Sequence, residues 1–539
     1  MKVQVSSVAA LLIGTLLFVV AANAQDPNAS HLEKHGDVTQ LIVDSKPFLM
    51  LSGELYNSSS SSLEYMKPLW PKLAAIPLNT VITPLSWELI EPTEGKYDFS
   101  LVDGLLAQTR EQHLHVVFLW LAAWKNGMSS YPPVWVKQNT KRFPRVVLHS
   151  NEANILSAIA GYSDATRDAD ARAFAAVMQH IREVDGREHT VLMMQVENEV
   201  GVLGDTRDHS QQADQAFASS VPAQLTEYLK AHRETLEPRL RALWLQNGAK
   251  TSGTWAQVFG DTARADEIFM AWNYAGYVHA VAAKGKAAYN LPMYVNTWLA
   301  SDDNIPGDYP SGGPLPHVMD IWKAAGSAID IYSPDVYDPD FAKWANRYHR
   351  PDNLLFVPET NGGKNGAANV FDAVGQHAAI GFSPFAIDGF HEGTSDLGES
   401  YSAIDQVKSI LFEQQPKGNV HGFTLSKDHP FVEFYMNGYV VQVSLDEIFG
   451  NHADSGYGLI VATGQEEFLG VGKGFRVLIT PRSPSPFKLG YASIDEGTFK
   501  DGRWIPGRRL NGDENDQGNY WRFDPKSVKI EKAVLYRYE

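Results

Sequence analysis

Two carboxylates flanking one amide close an apolar run in Val191-Leu192-Met193-Met194-Gln195-Val196-Glu197-Asn198-Glu199. A second run, Leu354-Leu355-Phe356-Val357-Pro358-Glu359, also stops on a glutamate. A hydrophobic core has no use for such endings, because an unpaired buried carboxylate is costly. Paired carboxyl groups suit acid/base and nucleophilic work: one donates a proton while the other attacks or activates water.

Other apolar runs end in the same manner. They lead into Gly53-Glu54-Leu55-Tyr56-Asn57, Trp87-Glu88, Trp120 followed by Trp124-Lys125-Asn126, Asn296 with Trp298, Asp335 with Tyr337, and Asp388 with His391-Glu392. The set mixes carboxylates with Trp and Tyr and holds few cations. Flat aromatic faces stack on sugar C–H surfaces and carboxylates or amides bind hydroxyls, so a neutral carbohydrate is the expected ligand. Glu54, Tyr56, Glu88 and Asn126 are candidates for hydroxyl contacts. Trp87, Trp124, Trp298 and Tyr337 are candidate platforms, and the last two have the most loop-like and polar surroundings. Cleaving a glycosidic bond needs an acid for the departing oxygen and a second carboxylate at the anomeric carbon or on a water. Glu199 and Glu359 are expected to form that pair, with retention at ~5–5.5 Å and inversion at ~6.5–9.5 Å. Glu197 and Glu199 share a face if the strand continues. Glu199 lies nearer the strand's end, which makes it the better acid and leaves Glu197 a supporting role.

Residues so placed need a scaffold that delivers strand ends to one mouth. Short apolar runs at 47–53, 79–85, 115–121, 190–196, 291–297, 329–334, 354–359 and 382–388 alternate with helical patterns such as 101–112, 168–184, 265–287 and 402–415. Eight strand-then-helix units predict a (β/α)8 barrel, whose active sites sit at the C-terminal ends of the strands. The largest insertion falls at 202–290. After residue 418, short strands separated by Gly, Asp and Asn turns predict a β-sandwich. The expected domains are a signal peptide over 1–24, a catalytic barrel over 25–417 and the sandwich over 418–539. In the sandwich, Trp504, Tyr520 and Trp521 fit a carbohydrate-binding module, and a structural sandwich covering one flank of the barrel fits equally well.

The leader has Lys2, an apolar stretch from Val8 to Ala21 and Ala22-Asn23-Ala24, which matches an export signal and is too short for a membrane span. The mature protein is therefore expected in the periplasm or outside the cell, without a membrane partner. No cysteine occurs in 539 residues, which excludes disulfides, thiolate metal sites and a Cys nucleophile. A net charge of −17 disfavours nucleic-acid binding. No His-Glu-x-x-His or calcium-loop pattern is present, so a catalytic metal is not expected, and the absence of a Gly-x-Ser-x-Gly elbow disfavours a serine hydrolase. Gly470-Val471-Gly472-Lys473-Gly474-Phe475 reads as a hairpin turn and not as a phosphate loop. His113 and His115 fall at the wrong end of the barrel for catalysis.

The residues KPFLMLSGELYNS, LNTVITPLSWELIEPTEGKYDF, MQVENEVG and FVPETNGG together resemble glycoside hydrolase family 35, the β-galactosidases, with family 42 a close relation, within the clan of retaining (β/α)8 glycosidases. The resemblance covers roughly residues 35–400. It implies Glu199 as general acid/base, Glu359 as nucleophile and Asn198 as partner of the sugar 2-hydroxyl. It further implies an exo-acting enzyme that removes terminal β-linked galactose from oligosaccharides or plant cell-wall glycans without a cofactor. One departure stands out. The family's Cys-Ala-Glu-Trp run after the third strand is here Leu121-Ala122-Ala123-Trp124, so galactose recognition must use other groups, among them Glu54, Glu88 or Lys125-Asn126. The alternatives are the same fold acting on another sugar (a β-xyloside, an α-L-arabinopyranoside or a β-glucoside) or a non-catalytic sugar-binding protein.

Overall fold

A computed structural model describes residue 26 and residues 28–149, 155–391, 394–448, 451–482 and 485–539. The leader expected over 1–24, and Glu392, lie outside the described residues. Eight parallel strands close into a barrel: Met50–Glu54, Thr80–Ser86, His115–Lys125, Val191–Asn198, Met293–Trp298, Ile331–Val336, Val357–Thr360 and Gly381–Pro384. Each falls on a run predicted from sequence. The eighth is shorter than expected, because Ile387–Gly389 turns into a 3-10 helix that brings Asp388 to the mouth.

These strands are apolar along nearly their whole length because both faces are covered. In the third strand, Val117, Leu119 and Leu121 point into the lumen, where they meet Met50, Ile82, Tyr294, Ile331 and Phe356. The alternating Val116, Phe118 and Trp120 pack under the surrounding helices. Burying one such side chain contributes about 1.5–3 kcal/mol. Leu41 and Val43 of an antiparallel N-terminal sheet plug the bottom of the lumen.

The flanking helices follow their periodicity. Asp164–Asp185 starts at Ser163, whose hydroxyl accepts from the Thr166 N–H, and buries Ala169, Ala173, Phe174, Val177, Met178 and Ile181. Ala263–Ala288 packs beside it, and Gly285 permits the approach: a Cβ there would lie 2.3 Å from the Phe174 ring. The predicted insertion between strands four and five carries shorter helices at Gln211–Phe217, Ala223–Ala231, Pro238–Gln246 and Trp255–Phe259. Among the described residues, no helix is long and apolar enough to cross a membrane.

Beyond the helix Thr394–Gln414, a six-stranded and a four-stranded antiparallel sheet face each other. Phe423, Val441, Ile460, Phe475, Val477 and Trp521 lie in the core between them. The other side of the six-stranded sheet places Tyr457, Leu459, Val461 and Val471 in the same core as the barrel helices. There the chain comes closest at Gly422, where a Cβ would meet the Phe371 carbonyl at 2.0 Å. The Gly470–Phe475 stretch is not a hairpin. Strand Glu467–Lys473 belongs to the six-stranded sheet and strand Phe475–Pro481 to the four-stranded one, so the chain changes sheets at Gly474, whose φ of +77° suits glycine.

Candidate active site

Glu199 is 5 % exposed at the end of the fourth strand. Its Oε2 accepts a 2.6 Å hydrogen bond from the Asn126 amide, and its backbone N–H donates to Asn296 Oδ1 at 3.0 Å. Burial and the neighbouring charge of Glu359 raise its pKa from 4.5 to about 7, although Lys125, Asp335 and Asn126 pull it down. The group is thus poised to give up a proton near neutrality. Glu359, at the end of the seventh strand, accepts a 2.6 Å hydrogen bond from the Tyr337 hydroxyl on Oε1, and its buried Oε2 has no partner among the described residues. Asn198 is wholly buried with both amide atoms unpartnered. Buried polar atoms are normally satisfied, so unpaired ones clustered at strand ends point to a ligand that completes them.

Glu54 completes this floor from the first strand. It is fully buried, both its carboxylate oxygens lack partners, and burial followed by the charge of Glu359 keeps its carboxyl well above the ordinary range. Lys125 enters from the extended third strand. Burial opposes its charge, but Glu359, Glu199, Glu54 and Asp335 outweigh that effect and raise its pKa. Asp335 lies in the sixth strand, where its Oδ2 accepts from the Asn296 amide at 2.7 Å.

Around the rim, Tyr56, Trp298 and Tyr337 are each about 40 % exposed (41, 41 and 42 %). Tyr56 donates its backbone N–H to Asp388 and pairs its hydroxyl with His391 Nε2 at 3.0 Å. Other expected contacts are placed elsewhere. Trp87 is fully buried, with its indole N–H on Glu91 Oε2 and its ring edge-on to Trp135. Trp124 is fully buried between Tyr274 and Tyr277, with its indole N–H on the Ile159 carbonyl. Both are core residues and offer no face to a sugar. The expectation fails for them because an aromatic next to a strand end can pack outward under the helices. Glu88 is half-buried in an ion pair with Lys137 at 2.9 Å.

Glu197 and Glu199 do not share a face. Both have left-handed backbone, with φ of +64° and +45°, which breaks the alternation of a regular strand. Glu197 turns outward, accepting from the N–H groups of Ala123 at 3.0 Å and Trp124 at 2.8 Å. There it meets Asp170, which takes hydrogen bonds from Trp120 and Tyr277. Burial, then the charge of Asp170, pushes the Glu197 carboxyl well up. This clamp holds the strand extension that delivers Lys125 and Asn126. Asp170, the partner of Glu197, is a residue that sequence reasoning missed, whereas Asn296 was already named at the end of the fifth strand. Asp170 left a signal, a charge within the buried Thr166, Ala169, Ala173 stripe of a helix.

In the sandwich, Trp521 is buried, Trp504 packs at a tilt against Phe499 with Lys532 over its ring, and Arg476 covers Tyr520. Among the described residues, no group of three His, Cys, Asp or Glu could hold a metal ion.

Residues 64–262 match the glycoside hydrolase family 42 model, described as beta-galactosidase, and residues 397–522 match a domain of unknown function (DUF5597). A curated beta-galactosidase of Xanthomonas manihotis is 31 % identical over 185 residues, which is 33 % of this chain and 27 % of that protein. The chain thus spans about a quarter of the length of that relative. Solved beta-galactosidases from Bacillus circulans sp. alkalophilus and Marinomonas ef1 each superpose with a TM-score of 0.46 at 13 % identity. They cover 68 % and 67 % of this chain and 57 % and 60 % of theirs. Over residues 64–262 the barrel is thus similar to the beta-galactosidases of glycoside hydrolase family 42.

Proposed function

We propose that the protein is a retaining, exo-acting glycoside hydrolase that removes terminal β-linked galactose from oligosaccharides or plant cell-wall glycans. The observation that carries this reading is the pairing at the barrel mouth. A buried carboxyl with a pKa of about 7, Glu199, shares the site with Glu359, whose Oε2 is unpartnered and whose Oε1 is aligned by Tyr337. In the first step Glu359 attacks the anomeric carbon while Glu199 protonates the departing oxygen. In the second, Glu199 takes a proton from the water that releases the sugar. Asn198 faces the 2-hydroxyl, and Trp298 and Tyr56 line the approach. An export signal at 1–24 would place the enzyme in the periplasm or outside the cell.

One observation favours a second reading within this mechanism. Lys125 enters the site from the same third-strand end where the family carries its sugar-binding glutamate, which fits a sugar other than galactose. Initial rates on a panel of aryl β-galactoside, β-glucoside, β-xyloside and α-L-arabinopyranoside separate the two. The fastest turnover is expected on the galactoside, and faster cleavage of another pyranoside would replace the substrate assignment. Azide should rescue Glu359→Gly to give an inverted glycosyl azide and Glu199→Ala to give a retained one. Exchanged stereochemistry would overturn the roles, and no turnover by the wild type on any glycoside would favour a sugar-binding protein.

A further inference from the structure

A closed ring of polar contacts links Glu199 to Asp335. Asn296 Oδ1 accepts the Glu199 backbone N–H at 3.0 Å, which fixes the amide so that its Nδ2 donates to Asp335 Oδ2 at 2.7 Å. Asp335 Oδ1 is buried and finds neither donor nor acceptor among ordinary partners. The Asp335 side chain as a whole lies within hydrogen-bond reach of the Glu199 side chain. Two carboxylate oxygens in contact, both out of water, make a hydrogen bond only if one of them carries a proton.

The geometry points to Asp335 as a positioning residue that stays a neutral carboxylic acid and donates its O–H to Glu199. Its Oδ2 then serves as the carbonyl acceptor for Asn296, and its Oδ1 carries the hydrogen. The surrounding groups favour the neutral form. Glu54, Glu359 and Glu199 add negative charge, Tyr294, Tyr337 and Tyr348 contribute no positive charge, and Lys125 is a cation that interacts with Asp335. Burial, then the charges of Glu359 and Glu199, holds Asp335 well above the usual carboxylate range.

This inference rests on the assignment of Glu199 as general acid. When Glu199 passes its proton to the departing oxygen, the resulting carboxylate already receives hydrogen bonds from Asp335 and Asn126. No proton leaves Asp335 in either step. The neutral neighbour stabilises the conjugate base and thereby strengthens the acid.

The test compares Asp335→Asn with Asp335→Ala in the full chain, reading kcat/KM against pH on an aryl galactoside. Asparagine reproduces the neutral donor and acceptor, so its alkaline limb should match that of the wild type. Alanine removes the donor, and the limb should move up by about one to two pH units, the effect of one lost hydrogen bond to a charged group. A downward shift in both variants would mean that Asp335 is an anion, and loss of rate with an unmoved limb in both would mean a structural role; either overturns the proposal. Infrared difference spectra of wild type minus Asp335→Asn, taken above neutral pH, provide a readout independent of turnover. A carboxylic acid C=O band is expected, and its absence also refutes the proposal. The band without wild-type turnover would refute the proposed function and leave the protonation of Asp335 standing.

Discussion

Replacing Glu199 by Gln should inactivate the enzyme and stabilise it, with the stabilisation confined to one side of a pH window. The carboxyl has a pKa of about 7 in the fold against an ordinary 4.5, through burial and the charge of Glu359. A carboxyl with a raised pKa binds more protons folded than unfolded, so it penalises the folded state increasingly as pH rises from about 4.5 to 7 and fully above that. The displacement corresponds to about 3 kcal/mol. Glutamine is isosteric, still accepts from Asn126 and carries no charge, so it escapes the penalty. With an unfolding entropy of about 1.1 kcal/mol/K for a chain of this length, the gain is about 3 °C. Thermal melts of both proteins should coincide at pH values below the unfolded carboxyl range and separate progressively to that amount above neutrality. A difference that does not vary with pH, or a variant less stable above neutrality, would refute the electrostatic account of the site.

Other variants probe the scaffold and the mouth. Glu197→Ala strands the N–H groups of Ala123 and Trp124, at about 1–3 kcal/mol each. It should lower both Tm and kcat/KM, and Glu197→Gln, which keeps an acceptor, should do so less. Lys125→Met removes the charge that lowers the Glu199 pKa, so the alkaline limb of the rate profile should move to higher pH as kcat/KM falls. Trp124→Ala should cost about 3–5 kcal/mol by calorimetry as a core truncation. Trp298→Ala should change stability by no more than about 0.5 kcal/mol and weaken KM for oligosaccharides more than for aryl monosaccharides.

The positions of Glu199, Glu359, Asn198 and Glu54 were legible because a barrel imposes one rule on every strand: the residues closing each apolar run reach the mouth. Side-chain direction was harder to read. Alternation assigned Glu197 and Glu199 to one face, and the left-handed backbone at both residues separated them. Trp87 and Trp124 looked like platforms because sequence position near a strand end does not distinguish inward from outward packing. The Gly472–Gly474 stretch looked like a hairpin because a change of sheet and a reversal of direction call for the same residue.

The amino-acid order alone determined the eight-stranded barrel, the β-sheets behind it and the two glutamates at its mouth. These follow from local periodicity and from the covered faces of a closed parallel sheet. Only the tertiary structure decided which carboxyl groups meet out of water. Asp335 with Glu199, and Asp170 with Glu197, lie on different elements far apart in the chain. Their protonation follows from burial and from charges brought near by folding, and neither is written in any single stretch of sequence.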